Sequence, residues 1–407
     1  MTDDDERIIG LLRGLDDAPV RPGRFELREV LRVGRRRQRV GRTMRAGSVG
    51  ALAVAVLATA PVLLDLRPAG PTGGVAGTPP ATTRPAPTSC TVERLPVPKG
   101  FGEFHVSAGD RTGRYLVGGA SRGVNRQSRF ATLLWDGDRV HQVAFPKGDG
   151  YLSGVNSAGV AVGGDPAGVY LYRDGRLVPL PGSTANMLSA SINDAGQVVG
   201  NRMRDDPVAG YLAQPLIWRS TDRPPVELPL PGAEWSVVTL DLAEDGTVVG
   251  ILKSDGEVRV AGYLWRPDGS GEFLRRRTAD GRAEVSMTPV SVQGGWVTGQ
   301  TIREGTYPSG PVGARLHLPT GSIEVLAEPV PFRAQIGNGQ GWMAGTTSSG
   351  AVLLAGDRQA ELPDLPGGEP ESGFPKALSD DGRTIAGTQR MPKGADETEV
   401  PVRWRCH

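Results

Sequence analysis

From residue 110 onward one short pattern returns seven times: RTGRYLVGG, NSAGVAVGG, NDAGQVVGN, AEDGTVVGI, VQGGWVTGQ, NGQGWMAGT and SDDGRTIAGT. Its leading glycines are Gly113, Gly159, Gly196, Gly246, Gly295, Gly341 and Gly382, separated by 46, 37, 50, 49, 46 and 41 residues. A spacing near 45 residues, with room for four strands per unit, is the sequence signature of propeller blades. Repeats 1 to 7 are named below by these glycines in chain order.

Each unit reads the same way. A strand leads into an Asn/Asp-rich turn, as in SASINDAG, and a second, apolar strand follows, as in QVVG. A third carries a large apolar residue (LLWDG, VYLYRDG, PLIWRS, YLWRPDG, ARLHLPTG, VLLAGD), and a fourth ends in Leu-Pro or a near relative (VAFP, LVPLP, ELPLP, ELPDLP). The Asp/Asn-Gly steps supply the positive φ that tight hairpins require. The β-branched second strands suit positions buried on both faces. Glycine (58) and proline (34) fit many short strands joined by turns. The expected fold is all-β, a seven-bladed propeller over residues 90–407.

Repeat 7 lacks a fourth strand: the chain passes PVRWRCH and stops. CTVERLPVP, at Cys90–Pro98, resembles the fourth strands RLVPLP and VELPLP, so the start of the domain is expected to complete repeat 7 and leave no free sheet edge. The two cysteines, Cys90 and Cys406, fall at this closure and are expected to form a disulfide, with an upper bound of roughly 5–6 kcal/mol from loop entropy.

The repeat resembles the extracellular HAF-repeat family, whose units read like INDAGQVVG followed by a Leu-Trp strand. The resemblance spans residues 90–406 and implies a propeller outside the cell without a settled activity. Repeats 2, 5 and 6 depart from the Leu-Trp pattern.

The segment before the repeats has another character. Ala46 to Leu64 is uncharged and as a helix would span about 28 Å, close to a bilayer core. Seven arginines lie between Arg32 and Arg45, and only Arg67 follows in the next fifteen residues. The positive-inside rule places residues 1–45 in the cytoplasm, 46–64 across the membrane and the remainder outside. A cleaved leader competes with this reading through Ala58-Thr59-Ala60, but Pro61 and the length of the preceding segment oppose it. Residues 65–89, rich in Pro, Thr and Gly, read as a stalk. In the tail, Ile8, Leu11, Leu12 and Leu15 share one helical face, and Leu27, Val30 and Leu31 another. Two short amphipathic helices of this kind suit a cytoplasmic regulator or the bilayer surface. The tail resembles the N-termini of actinobacterial single-pass proteins related to membrane anti-sigma factors, without the zinc-binding His-x-x-x-Cys-x-x-Cys element. That likeness implies a sigma-type partner, and a pull-down with residues 1–45 that captured no specific partner would exclude it.

Little in the sequence specifies a reaction. His105, His141, His317 and His407 lie apart without metal-ligand spacing, and His317 is expected at the position held elsewhere by Trp. Asp194, Asp245, Asp380 and Asp381 read as turn formers, since no twelve-residue calcium loop surrounds them. Trp135, Trp218, Trp265 and Trp404 share one position per repeat and read as packing. No phosphate-binding glycine loop is present, and neither is a cofactor motif. Lys+Arg (46) and Asp+Glu (45) nearly cancel, so nucleic acid is not an expected partner. The expected function is non-enzymatic binding of an extracellular ligand or protein by a module tethered to membrane lipid through one helix. The contact loops are expected in RMRDDPVAGYLAQ, KSDGEVRVAG and TIREGTYPSGPVG. A transmembrane signalling protein is the first alternative. A cell-wall or glycan hydrolase or lyase, with carboxylates gathered from distant loops, is the second.

Overall fold

The computed structural model describes residues 85–407 except 123–128, 207–209, 255–259, 278–283, 303–311, 327–331, 393 and 395–397. The tail, the 46–64 segment and most of the 65–89 stalk lie outside the described residues, as do the central parts of the three expected contact loops.

All regular structure among the described residues is β, and the fold is propeller-like. The unit is an antiparallel four-stranded meander. In repeat 2 its strands are Tyr151–Val155, Ala161–Asp165, Gly168–Arg173 and Arg176–Pro179. Repeats 3, 4 and 6 form sheets of the same order, and repeat 5 adds a short strand, Arg275–Arg277, beside its first. The sixth sheet is larger. It joins the strands of repeat 7 to those of repeat 1 through a single parallel pairing, Glu103 with Glu399.

The hydrophobic clusters lie between neighbouring sheets. One joins Val199 and Ile217 of repeat 3 to Trp235 and Val248 of repeat 4. Another joins Ala377 and Ala386 of repeat 7 to Phe104 and Leu116 of repeat 1, so the circuit closes. Each sheet is thus covered on both faces, which explains the apolar second strands: Val198, Val199, Val248 and Val249 are almost fully buried.

The two glycines of each repeat serve different ends. The leading ones all have positive φ, between 68° and 86°. At Gly196 (φ 77°) no atom lies within 4 Å of the place a Cβ would take, so backbone conformation alone demands glycine there. The trailing glycine answers a close approach. Every first strand carries a β-bulge, and in six repeats it lies opposite this glycine. A Cβ on Gly200 would sit 2.2 Å from the Leu188 carbonyl oxygen; on Gly345, 2.1 Å from that of Arg333. Repeat 4 differs: its bulge falls at Val237/Thr239, displaced along the strand.

Trp and Leu-Pro form a latch between consecutive repeats. Trp218 Nε1 donates to the Pro181 carbonyl at 3.0 Å, Trp265 to Pro229 at 2.6 Å, Trp404 to Pro363 at 2.8 Å and Trp135 to Pro96 at 2.7 Å. All four indoles are fully buried. The leucine before each proline continues the sheet, as where Leu180 N–H donates to Val169 O. Proline then ends the strand with no N–H to satisfy, and its carbonyl is free to meet the indole. Repeat 5 corrects an expectation. Pairing places Leu316 opposite Val297, the position of Trp218 opposite Val198. His317 lies one residue further, its ring 4.6 Å from that of Trp296. A one-residue step changes sheet face, and the buried face takes leucine.

At the closure, Cys90–Arg94 pairs antiparallel with Glu399–Cys406, Cys90 directly opposite Cys406. The two cysteines form a disulfide with S–S 2.02 Å. Arg403, almost fully buried, donates to Glu93 at 2.6 Å and to the Gly137 carbonyl at 3.3 Å, and also pairs with Asp138. Arg405 joins the same Glu93 carboxylate at 2.8 Å.

Candidate functional site: the channel between the first strands

The first strands of all seven repeats line one cavity of about 250 Å³. Its geometry follows from the turns and bulges just described.

At one end the glycine turns meet in a ring. Asn156 accepts the backbone N–H groups of Ala158 and Val160 within its own turn, while its Nδ2 reaches the Asn193 carbonyl in the next at 3.2 Å. Asn193 reaches the Ala243 carbonyl at 3.0 Å, and Asn338 that of Ser379 at 2.9 Å. An amide has both an acceptor for its own turn and donors for its neighbour, which is why Asn suits this position. The residue after it adds a second link. Ser157 N–H donates to the Asp194 carboxylate, Asp194 N–H to Glu244 and Gly339 N–H to Asp380. In repeat 1 this position holds Arg111. Its guanidinium contacts Asp380 at 2.6 Å, Glu244 at 3.5 Å and Asp194 at 3.7 Å, spanning the channel mouth. Burial pushes the Glu244 carboxyl above its usual range, and the neighbouring Asp194 charge adds to this.

Further in, the residue after the bulge is Ala108, Gly154, Ser191, Ser291, Ile336 and Ala377 in six repeats. In repeat 4 the equivalent position, opposite Val249, holds Asp241. One carboxylate oxygen accepts Val292 N–H at 2.8 Å, and the Ser191 and Ser291 hydroxyls lie beside it. Burial raises its pKa despite these hydrogen bonds. Lys376, the bulge residue of repeat 7, also lines the channel, its ammonium 4.6 Å from the Phe374 ring centroid.

The residues singled out from sequence divide clearly. Gly113, Gly159, Gly196, Gly246, Gly295, Gly341 and Gly382 shape the turns that frame the mouth. Cys90 and Cys406 lie at the closure. Asp194 and Asp380 stand at the mouth, whereas Asp245 and Asp381 cap their own turns through Thr247 N–H and Arg383 N–H. His105, His141, His317 and His407 belong to separate strands or the terminus. Among the described residues no group of three or more His, Cys, Asp or Glu is placed to hold a metal. Arg111, Asp241 and Lys376 escaped the sequence reading. Aligning the seven first strands would have exposed Asp241, as the one carboxylate among small or apolar residues.

No known protein family matches the sequence, and no curated protein matches it. Solved structures resemble it in part. The GH74 xyloglucanase from Xanthomonas campestris is 11% identical with a TM-score of 0.44, over 72% of this chain and 51% of that one. The chain thus spans about half the length of that enzyme. Regucalcin, a calcium-binding protein from Agrobacterium tumefaciens, is 13% identical with a TM-score of 0.35, over 79% and 95%. The β-propeller domain of the Trilobed protease from Pyrococcus furiosus is 10% identical with a TM-score of 0.37, over 65% and 97%.

Proposed function

We propose that this chain is a non-enzymatic binding module, a seven-bladed propeller held outside the membrane by the 46–64 segment, that takes a small ligand in its channel. The count of seven is supported by the large sheet, which divides at its single parallel pairing into two four-stranded meanders beside five others. The anchor rests on the uncharged stretch and the arginines before it.

One observation carries the binding reading. Residues that repeat, the turn glycines, Leu-Pro pairs and tryptophans, build the framework. Three charged residues that break the repeat, Arg111, Asp241 and Lys376, all line the channel. A framework needs the same solution in every unit; a ligand contact is needed only where the ligand is. The mouth carboxylates are held by backbone amides and Arg111, which suits fixed recognition.

Screening the full chain by thermal shift against small polar metabolites tests this. At least one should raise the melting temperature of the wild type and not of Ala190→Phe, which fills the channel from the repeat 3 bulge. A binder that stabilises both equally would remove the channel from the account.

A further inference from the structure

The mouth carboxylates have structural employment: Asp194, Glu244 and Asp380 each accept a neighbouring turn's N–H. Asp241 also accepts an N–H from the next repeat, that of Val292, and has the Ser191 and Ser291 hydroxyls beside it. Unlike the mouth carboxylates near Arg111, however, Asp241 forms no ion pair among the described residues, although burial disfavours its charged form. The adjoining side chain carries a second unmet demand. Gln293 Nε2 donates to the Leu242 carbonyl at 3.2 Å, which fixes the orientation of the amide. Its Oε1 is buried and accepts no hydrogen bond among the described residues. The two groups are neighbours, because Asp241 accepts from Val292 N–H and Gln293 from its own side donates to the residue after Asp241. Both line the channel.

A buried orphan acceptor is costly, and a buried carboxyl without a cation holds its charge poorly. One group answers both: an ammonium, with three N–H donors and a positive charge. The wall around them includes Leu240, Val290 and Ile336, which suit a short aliphatic stem. We infer that the channel binds a small aliphatic primary ammonium compound, its charged end between Asp241 and the Gln293 side-chain oxygen. This rests on the channel reading above and names the chemistry of its ligand.

The source could be a free amine or an amino acid, so both are tested. The full chain is titrated calorimetrically with 1,4-diaminobutane and with L-lysine, alongside uncharged 1,4-butanediol and anionic succinate. The inference expects at least one amine to bind and butanediol not to. It expects Asp241→Asn to weaken that amine at least tenfold and Gln293→Met several-fold, with both variants keeping a cooperative melt. If Asp241→Asn fails to fold, Gln293→Met still carries the test. Absence of binding by both amines, or equal binding to wild type and both variants, overturns the inference. Succinate binding that Ala190→Phe abolishes, with no amine binding, would overturn the ammonium assignment while leaving the channel as a binding site.

Discussion

The joint between repeats 7 and 1 is built differently from the joint between repeats 3 and 4. Repeats 3 and 4 meet through a shared hydrophobic cluster, the Asn193 and Asp194 turn contacts and the Trp265–Pro229 latch. The closing joint has the corresponding features: its own cluster, the Arg111–Asp380 contacts and the Trp135–Pro96 latch. It adds the Cys90–Cys406 disulfide, a strand taken from the start of the domain, and the Glu93–Arg403–Asp138 group. The difference follows from chain connectivity. Repeats 3 and 4 are tethered by the backbone in the unfolded state as well, so bringing them together loses little loop entropy. Repeats 7 and 1 lie at opposite ends of more than three hundred residues, and their approach loses far more.

The largest expected effect tests this directly. Replacing both cysteines with serine should destabilise the protein by about 2–5 kcal/mol, read as a lower midpoint in denaturant melts. A loss below about 0.5 kcal/mol would mean the closing joint needs no covalent help. Next, Trp135→Phe strands the Pro96 carbonyl at the closing joint, and Trp218→Phe strands the Pro181 carbonyl at an ordinary one. Each should lose about 1–3 kcal/mol. If connectivity is the distinction, Trp135→Phe should become more damaging than Trp218→Phe once the disulfide is reduced. Arg403→Met should have a smaller effect, about 1 kcal/mol, because Asp138 and Glu93 are well exposed to solvent.

The smallest effect concerns pH, and its sign separates the closing joint from the channel. At Glu93, burial alone would raise the pKa, but the Arg403 and Arg405 guanidiniums outweigh it and hold the carboxyl below its usual range. Asp138 is lowered by its hydrogen bond to Arg403. Both bind protons less tightly in the folded state. Their contribution is present above the ordinary carboxylate range and lost as pH falls through the lowered values. Asp241, raised by burial, binds its proton more tightly when folded. Its contribution is greatest in acid and is lost as pH rises from the ordinary aspartate range through the raised value. Asp241→Asn should therefore improve stability relative to wild type more at pH 7 than at pH 4, and Arg403→Met should lose less at pH 4 than at pH 7. Melts at the two pH values check both signs; a reversed order in either variant contradicts the assignment.

Much of this was legible in the sequence because repetition averages out ambiguity. A single glycine turn is a weak signal, but seven in register fix the hairpin, the strand after it and the unit length. The completion of repeat 7 by Cys90–Arg94 was visible because an incomplete last unit and an orphan first strand share one pattern. The site was not legible by the same means. Motif reading finds residues close in sequence, whereas Arg111, Asp241 and Lys376 come to line one channel only because separate repeats supply its walls. His317 illustrates a finer limit: a strand read one residue out of step exchanges its two faces, and only pairing distinguishes Leu316 from His317.

Backbone conformation and periodicity are local properties carried by residue type, so residue order alone dictates the all-β repeat, the place of its turns and the two cysteines at the closure. Packing in three dimensions settled the rest. It showed that the trailing glycines yield to first-strand carbonyls, that the tryptophans reach proline carbonyls of the preceding repeat, and that Asp241 and Gln293 share a channel. Those facts depend on which groups seven separate strands bring within a few ångströms of one another, and no local pattern encodes that distance.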